Sequence, residues 1–348
     1  QQLVKMSYSQ DIAQSGDNGI IECCLIEYST SLPGNNWYTN GIDLHFASNW
    51  IIRDNEIRNI KHGPNTTSDA GAAILLFNGG SGSIIERNLV VNCDEGIFAG
   101  NWGNSPNVSY RNATIRNNMI RGHANSRCGI GIVLAPNCSV INNTIYSPGG
   151  VAWTAQEYSI EVTGDSCTNL LLQNNLADEP YLNNQNLAPT PTLVTNIFNC
   201  TSTYFMNVNV ASLDLHLAST SVAINNGTFH FNANDDYDCG PRAGSVDVGA
   251  DEYSVASGLV NLNLEEFVVY PNPFVREIQL NYILREGGDV KIELVNALGQ
   301  RRILVEAEQS AGEHHLQIDL SELNISGGMY FLEITSVGHV HSQKLIHE

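Results

Sequence analysis

The sequence predicts an all-β protein: a parallel β-helix fills residues 1–253, a linker spans 254–263, and a small antiparallel β-sandwich of immunoglobulin-like kind fills 264–348. Three observations carry the prediction. An Asn recurs at one turn, in RDNEI, ERNLV, RNNMI, INNTI and QNNLA, at Asn55, Asn88, Asn118, Asn143 and Asn175, and ECCLI puts Cys24 in the same slot. The steps of 31, 33, 30, 25 and 32 residues suit stacked coils joined by loops of unequal length. Short stretches of alternating apolar residues precede each turn, without helical periodicity. Past residue 263 a different pattern begins, in which EFVVYPNPF, EIQLNYIL, VKIELVNALGQ, HHLQIDL and GMYFLEIT are separated by Gly, Asn and Ser turns.

Each coil is expected to open with a strand such as GIDLH, AILLF, GIFAG, GIVLA or SIEVT. Alternation then sends Ile42, Leu44, Ile74, Leu76, Ile97, Ile132, Leu134, Ile160 and Val162 inward. The outward set forms a ridge running from Asp43 and His45 past Leu75, Phe77, Phe98 and Val133 to Glu161 and Thr163. A second strand in each coil, as in WIIR, SIIE, ATIR and LLLQ, adds apolar residues to the same interior. The recurring Asn is read as scaffold. Its short amide tolerates left-handed backbone geometry, bonds neighbouring backbone groups, and can stack on its counterpart about 4.8 Å away in the next coil. After Asn175 the repeat weakens.

Composition narrows the function. Hydrophobic residues make up 42% and charged residues 15%, which suits a folded chain, and a formal charge of −20 disfavours nucleic acid or an anionic membrane as partner. No apolar run reaches membrane-spanning length. All eight cysteines precede residue 240 without a C-x-x-C pair, so they are read as buried thiols rather than zinc ligands, with disulfides left open should the protein be exported. The chain opens on Gln1 with no secretory signal pattern, so its N-terminus is expected to have been removed or truncated.

Two resemblances follow from particular strings. Residues 205–253 contain Leu213-Asp214-Leu215-His216-Leu217, Gly240-Pro241-Arg242 and Asp247-Val248-Gly249-Ala250-Asp251-Glu252-Tyr253. These resemble the closing segment of bacterial right-handed parallel β-helix repeat proteins, and with the upstream coils the likeness covers about residues 18 to 253. It implies a pectate-lyase-like fold, right-handedness, and a structural role for Asp247, Asp251 and Glu252. Tyr270-Pro271-Asn272-Pro273-Phe274, Asn296-Ala297-Leu298-Gly299-Gln300, Gly327-Gly328-Met329-Tyr330-Phe331 and Lys344-Leu345-Ile346 resemble the C-terminal sorting domain of the type IX secretion system of Bacteroidota. That likeness implies passage through the periplasm, contact of residues 264–348 with the secretion machinery, and a final place outside the cell.

A ridge of stacked strands suits an extended extracellular polysaccharide. Elimination on a uronic acid needs a base beside the carboxylate and a cation for the enolate-like charge. Asp43, His45 and Lys61 are the candidate catalytic residues, and Phe77, Phe98, Trp102, Arg127 and Glu161 the candidate substrate contacts. Ca²⁺ is the one cofactor considered, with Asp43, Asp69 and Glu95 as oxygen donors. Hydrolysis ranks below elimination, because Asp235-Asp236-Tyr237-Asp238 suits an acidic cap or a Ca²⁺-binding turn better than a catalytic pair. A lyase or hydrolase, a noncatalytic glycan binder and a structural adhesin all stay open. Clustering of Asp43, His45, Lys61 and an Arg in one open groove would favour the enzyme.

Overall fold

The computed structural model describes residues 2–7, 16–29, 38–62, 70–101, 108–148, 158–183, 188–242, 244–253, 264–296, 300–323, 325–336 and 339–347. The chain divides into two compact units, 1–253 and 254–348. In the first, each coil contributes one strand to each of three parallel sheets. Sheet A stacks seven strands, among them Asn40–His45, Ala72–Phe77, Glu95–Ala99, Cys128–Val133 and Tyr158–Thr163. Sheet B also has seven, including Ile51–Arg53, Ile84–Glu86 and Thr114–Arg116, and sheet C has six, including Glu56–Arg58, Leu89–Val91 and Met119–Arg121.

Parallel stacking puts like residues over like, so the interior is built of columns. Ile42, Ile74, Ile97, Ile130 and Ile160 stand in register in sheet A, as do Ile52, Ile85, Ile115, Val140 and Leu172 in sheet B. All ten are buried to 1% exposure or less. β-Branched side chains suit this surface because their restricted rotamers pack against identical neighbours at strand spacing. One inward assignment fails. Leu134 follows the strand Cys128–Val133 at φ 50° and packs outside the helix with Leu75, Phe98, Cys128 and Val133. The left-handed residue turns the chain before its side chain would have reached the core.

The turn from sheet B to sheet C holds the Asn ladder. Nδ2 of Asn55, Asn88, Asn118, Asn143 and Asn175 donates to Oδ1 of the next Asn at 2.9–3.0 Å, and the series continues to Asn196, one coil beyond the last repeat visible in the sequence. Each Oδ1 also accepts the backbone N–H of the residue one coil earlier at 3.0–3.2 Å, beginning with Cys24. Nδ2 spends its second proton on a sheet B carbonyl, as from Asn118 to Ile85 and from Asn143 to Ile115, both at 2.9 Å. The left-handed geometry expected of these Asn residues lies one position earlier, at Cys23, Asp54, Arg87, Asn117, Asn142, Asn174 and Thr195. The preceding residue makes the bend, which aims the ladder amide inward.

Residues 205–253 lie against the outer side of sheet C, where Phe205, Leu215, Leu217, Ala223, Val248 and Ala250 pack on Met119 and Leu176. Arg242 ties this segment together, donating to the carbonyls of Asp235, Gly249 and Ala250 and to Glu252 Oε2. Asp247 accepts the Asn225 and Tyr253 amides and Glu252 pairs with Arg242, so these two acidic residues hold the motif together.

The second unit is an antiparallel sandwich. One sheet holds Leu264–Tyr270, Glu277–Leu284 and Gly312–Asp319, and the other Arg301–Gln309, Gly288–Asn296, Gly328–Ser336 and His339–His347. Two separated motifs meet here. Asn272 Oδ1 accepts the Ile346 amide at 2.9 Å, the Phe274 amide donates to the Ile346 carbonyl at 2.8 Å, and Phe274 and Leu345 are fully buried.

The ladder carries a measurable share of stability. Asn118→Ala removes the acceptor for two Asn88 donors and the donors to Asn143 Oδ1 and Ile85 O, leaving buried polar atoms unpaired. It is expected to lower unfolding free energy by about 2–4 kcal/mol, read from urea midpoints. An unchanged midpoint would show the ladder to be ornamental. The eight cysteines are all free, with Cys93, Cys128, Cys138, Cys167 and Cys200 buried and Cys23, Cys24 and Cys239 exposed. Burial pushes the Cys93 and Cys138 thiols up to about 12. A thiol-reactive disulfide reagent should therefore label three sites in the native chain and eight after denaturation, and rapid native labelling of five or more would contradict this packing.

Candidate functional site

Two groups of charged side chains in the β-helix lie on the outer face of sheet A and at the corner where sheet C hands over to it. Stacking in register produces one row, Lys5, Asp43, Leu75, Phe98, Gly131 and Glu161, and a second pair of neighbours two residues along, His45 beside Phe77. Val133 stands opposite Thr163 rather than in the first row. The expected open ridge is instead closed over. Asp43, Leu75, Phe98, Val133 and Glu161 are all at most 6% exposed.

At one end of the row Lys5 Nζ lies 3.2 Å from Asp43 Oδ2, and His45 Nε2 lies 2.8 Å from Asp43 Oδ1. The His45 approach is close but off the hydrogen-bond direction, since Asp43 Oδ1 is buried without a hydrogen-bond partner. Asn78 Nδ2 sits 3.1 Å from His45 Nδ1, so with this amide orientation Nδ1 accepts and the ring proton is on Nε2, facing the carboxylate. The His45 ring meets Phe77 edge-on at 5.0 Å. Asp43 and His45 do come together, but with Lys5. Lys61 lies at the corner, 3.4 Å from Asn92 Oδ1.

Further along, Arg127 bridges two carboxylates, Nε to Glu95 Oε1 at 2.6 Å and Nη1 to Glu161 Oε2 at 2.9 Å, while Thr163 Oγ1 donates to Glu161 Oε1 at 2.8 Å. Its guanidinium stands 5.4 Å from the centre of the Phe98 ring. Burial opposes its charge, yet Glu95 and Glu161 outweigh that and hold it protonated far above the usual range. Arg127 and Glu161 were both expected as substrate contacts, and they contact each other. Phe98, at 2% exposure, underlies Arg127 and presents no face to a sugar. Trp102 and Asp69 lie outside the described residues.

The corner holds a group that sequence reading missed. Asp94, fully buried, takes Oδ2 bonds from His62 Nδ1 at 2.8 Å and from the His62 and Ala70 amides at 2.7 Å, and its Oδ1 lies 2.8 Å from His123 Nε2. Burial raises its carboxyl, but His123, the Ala70 amide and His62 more than offset this, and it stays below the ordinary range. Further along the corner, burial pushes Asp178 up to about 6 against bonds from the Ser147 amide and Ser159 Oγ. Asp178 lines a cleft with Arg121, Ser126, Ser147, Tyr158 and Ser159. The available signal was a carboxylate just after a coil's third strand, as in Val91-Asn92-Cys93-Asp94 and Ala177-Asp178.

The acidic string 235–238 is no catalytic pair. Asp235 is bound by Arg87 and Arg116, each at 3.0 Å, and Asp236 accepts amides from Asp238, Gly240 and Glu252.

Comparison with known proteins agrees with both halves of the chain. Residues 10–177 match the family model described as a right handed beta helix region, and residues 268–348 match that of a secretion system C-terminal sorting domain. No curated protein matches the chain. Among the described residues no helix is long and apolar enough to cross a membrane.

Asp94→Asn keeps the shape of the corner while removing the charge that two histidines face, and is expected to destabilise by about 2–4 kcal/mol near neutral pH. The carboxyl is held below its unfolded value, so its contribution is present above about pH 4 and is lost as pH falls through the lower folded value. Urea midpoints of parent and variant should therefore converge on acidification. A gap that widened towards low pH would contradict the assignment.

Proposed function

We propose that this right-handed β-helix protein, exported to the cell surface or the medium by a type IX sorting domain, binds an extended extracellular polysaccharide without cleaving it. One observation carries the reading: the cations of the described sheet A face are already held by the protein's own carboxylates, Lys5 by Asp43 and Arg127 by Glu95 and Glu161. Elimination requires a cation free to meet the developing charge and a base free to take the proton. Around Asp43 and His45 neither condition is met, because Lys5 is paired with Asp43 and His45 faces the same carboxylate. Closure of the face over Asp43 and Glu161 argues the same way, since a polymer cannot reach side chains of 1% and 5% exposure.

Binding has better support. The edge made by Lys5, His45, Phe77 and Asn78 combines an exposed cation, an aromatic edge and an amide, the mixture of apolar surface and polar donors that sugar rings take. A polysaccharide is the partner chosen because a ladder of parallel strands offers a repeating linear surface and export places it among such polymers. This last step is an analogy from the fold. The test is a panel of neutral and uronic-acid polymers assayed for retention by affinity electrophoresis and for new unsaturated or reducing ends. We expect retention on at least one polymer, no new ends, and binding weakened about threefold to tenfold by Phe77→Ala. Accumulating chain ends would overturn the noncatalytic reading, and failure to bind any polymer would leave the adhesin.

A further inference from the structure

We propose that His216, Asp238 and Asp251 form a binding site for a divalent first-row transition-metal ion of the Mn²⁺ or Zn²⁺ class, which clamps the closing segment of the β-helix. The three side chains come from separate stretches, the strand Asp214–Leu217, the turn around 236–240 and the end of the segment. One donor atom from each lies within 4.8 Å of the other two. Metal bonds to imidazole nitrogen and carboxylate oxygen are about 2.0–2.2 Å, so small side-chain adjustments bring all three onto one ion.

Two features point to a cation beyond mere acidity. The first is the histidine. His216 Nδ1 lies 2.6 Å from Asp214 Oδ1, so in the neutral ring with its proton on Nδ1 the Nε2 lone pair points towards Asp238 Oδ2 at 2.9 Å. That contact needs a positive centre, which either a second ring proton or a metal ion supplies. A carboxylate fixing the far nitrogen of a metal-bound histidine is the usual arrangement around such ions. The second feature is Asp251. Its side chain belongs to a residue only 6% exposed, and it accepts a single hydrogen bond, from the Leu217 amide at 2.7 Å. A carboxylate has two oxygens and about four acceptor sites, so Asp251 keeps acceptor capacity for an ion.

A proton on Nε2 would serve Asp238 but leave Asp251 as it is, whereas a divalent ion satisfies both carboxylates together. Nearby groups do not take its place. Asp236 is committed to backbone amides, Arg242 pairs with Glu252, and Tyr237 meets the His216 ring edge-on at 5.9 Å. The donor set also selects among cations. Ca²⁺ takes six to eight oxygens, and a site led by an imidazole suits a transition ion better. The Ca²⁺ expected at the acidic turn is therefore replaced by a different ion using only Asp238 of that string. Asp238 is 60% exposed, which leaves an approach for the ion and for water as a further ligand.

The test uses the full chain stripped with EDTA. Mn²⁺ is the primary probe, read by loss of the free-ion EPR signal, because it discriminates against the exposed thiols Cys23, Cys24 and Cys239, and Zn²⁺ is added as competitor. We expect one Mn²⁺ per chain, displacement by Zn²⁺, no displacement by equimolar Ca²⁺, and a rise in the thermal midpoint with Mn²⁺. Asp214→Asn, which alters only the support of His216, should weaken binding about 10- to 100-fold, and Asp238→Asn and His216→Gln should weaken it at least as much. Asp238 is exposed, so its variant keeps the test decisive should His216→Gln fail to fold. Absence of saturable Mn²⁺ binding, or binding undiminished in Asp238→Asn, overturns the site.

Discussion

The structure depends on satisfying the backbone at a turn that is buried in the coils from Asn55 to Asn175. Where sheet B bends into sheet C, the chain exposes N–H and C=O groups to an interior with no water to bond them. An Asn amide answers with one acceptor and two donors on a single short side chain. Its oxygen takes an amide and a side-chain proton from the previous coil, and its nitrogen gives one proton forward and one to a sheet B carbonyl. Ala would leave these atoms unpaired, and Asp would bring repelling charges into a column at strand spacing. The preceding left-handed residue is part of the same device, since without its bend the amide would not face inward.

Columnar stacking constrains charge as well. In a parallel sheet each residue sits between its counterparts, so a run of like charges would be repulsive along its whole length. The outer row avoids this by alternating in kind, from Lys5 and Asp43 through Leu75, Phe98 and Gly131 to Glu161. Once such a face is closed over, each remaining charge needs a partner. Lys5 with Asp43, Arg127 with Glu95 and Glu161, and Asp94 with His62 and His123 are the results. A face neutralised in this way keeps its charges paired within the protein.

The two compact units solve different problems with one type of secondary structure. The β-helix removes sheet edges by stacking, and residues 205–253 cover the outer side of sheet C. The sandwich brings strings more than 70 residues apart into one contact, through Asn272, Phe274 and Ile346. Two of its four recognisable motifs are thus one physical feature, a C-terminal strand held by a turn near the start of the domain.

The sequence alone determined the all-β architecture, the coil period, the Asn turn, the inward columns and the sorting domain. The first four follow from periodicity and turn chemistry, which act over a few residues and repeat, and the sorting domain from the likeness of its motifs to a known family. It could not show which charges meet. Coil steps of 25 to 33 residues mean that a partner's offset is unknown until hydrogen bonds lock the register. Hence Asp43 and His45, two apart on one strand, were legible as a pair, whereas Lys5 with Asp43, His62 with Asp94 and His123, and His216 with Asp238 and Asp251 were not. Leu134 shows the same limit at close range, because a single left-handed residue reversed the face that alternation assigned. Tertiary structure decided the charge pairing and the burial of the outer face, since both depend on a register that the repeat alone does not fix.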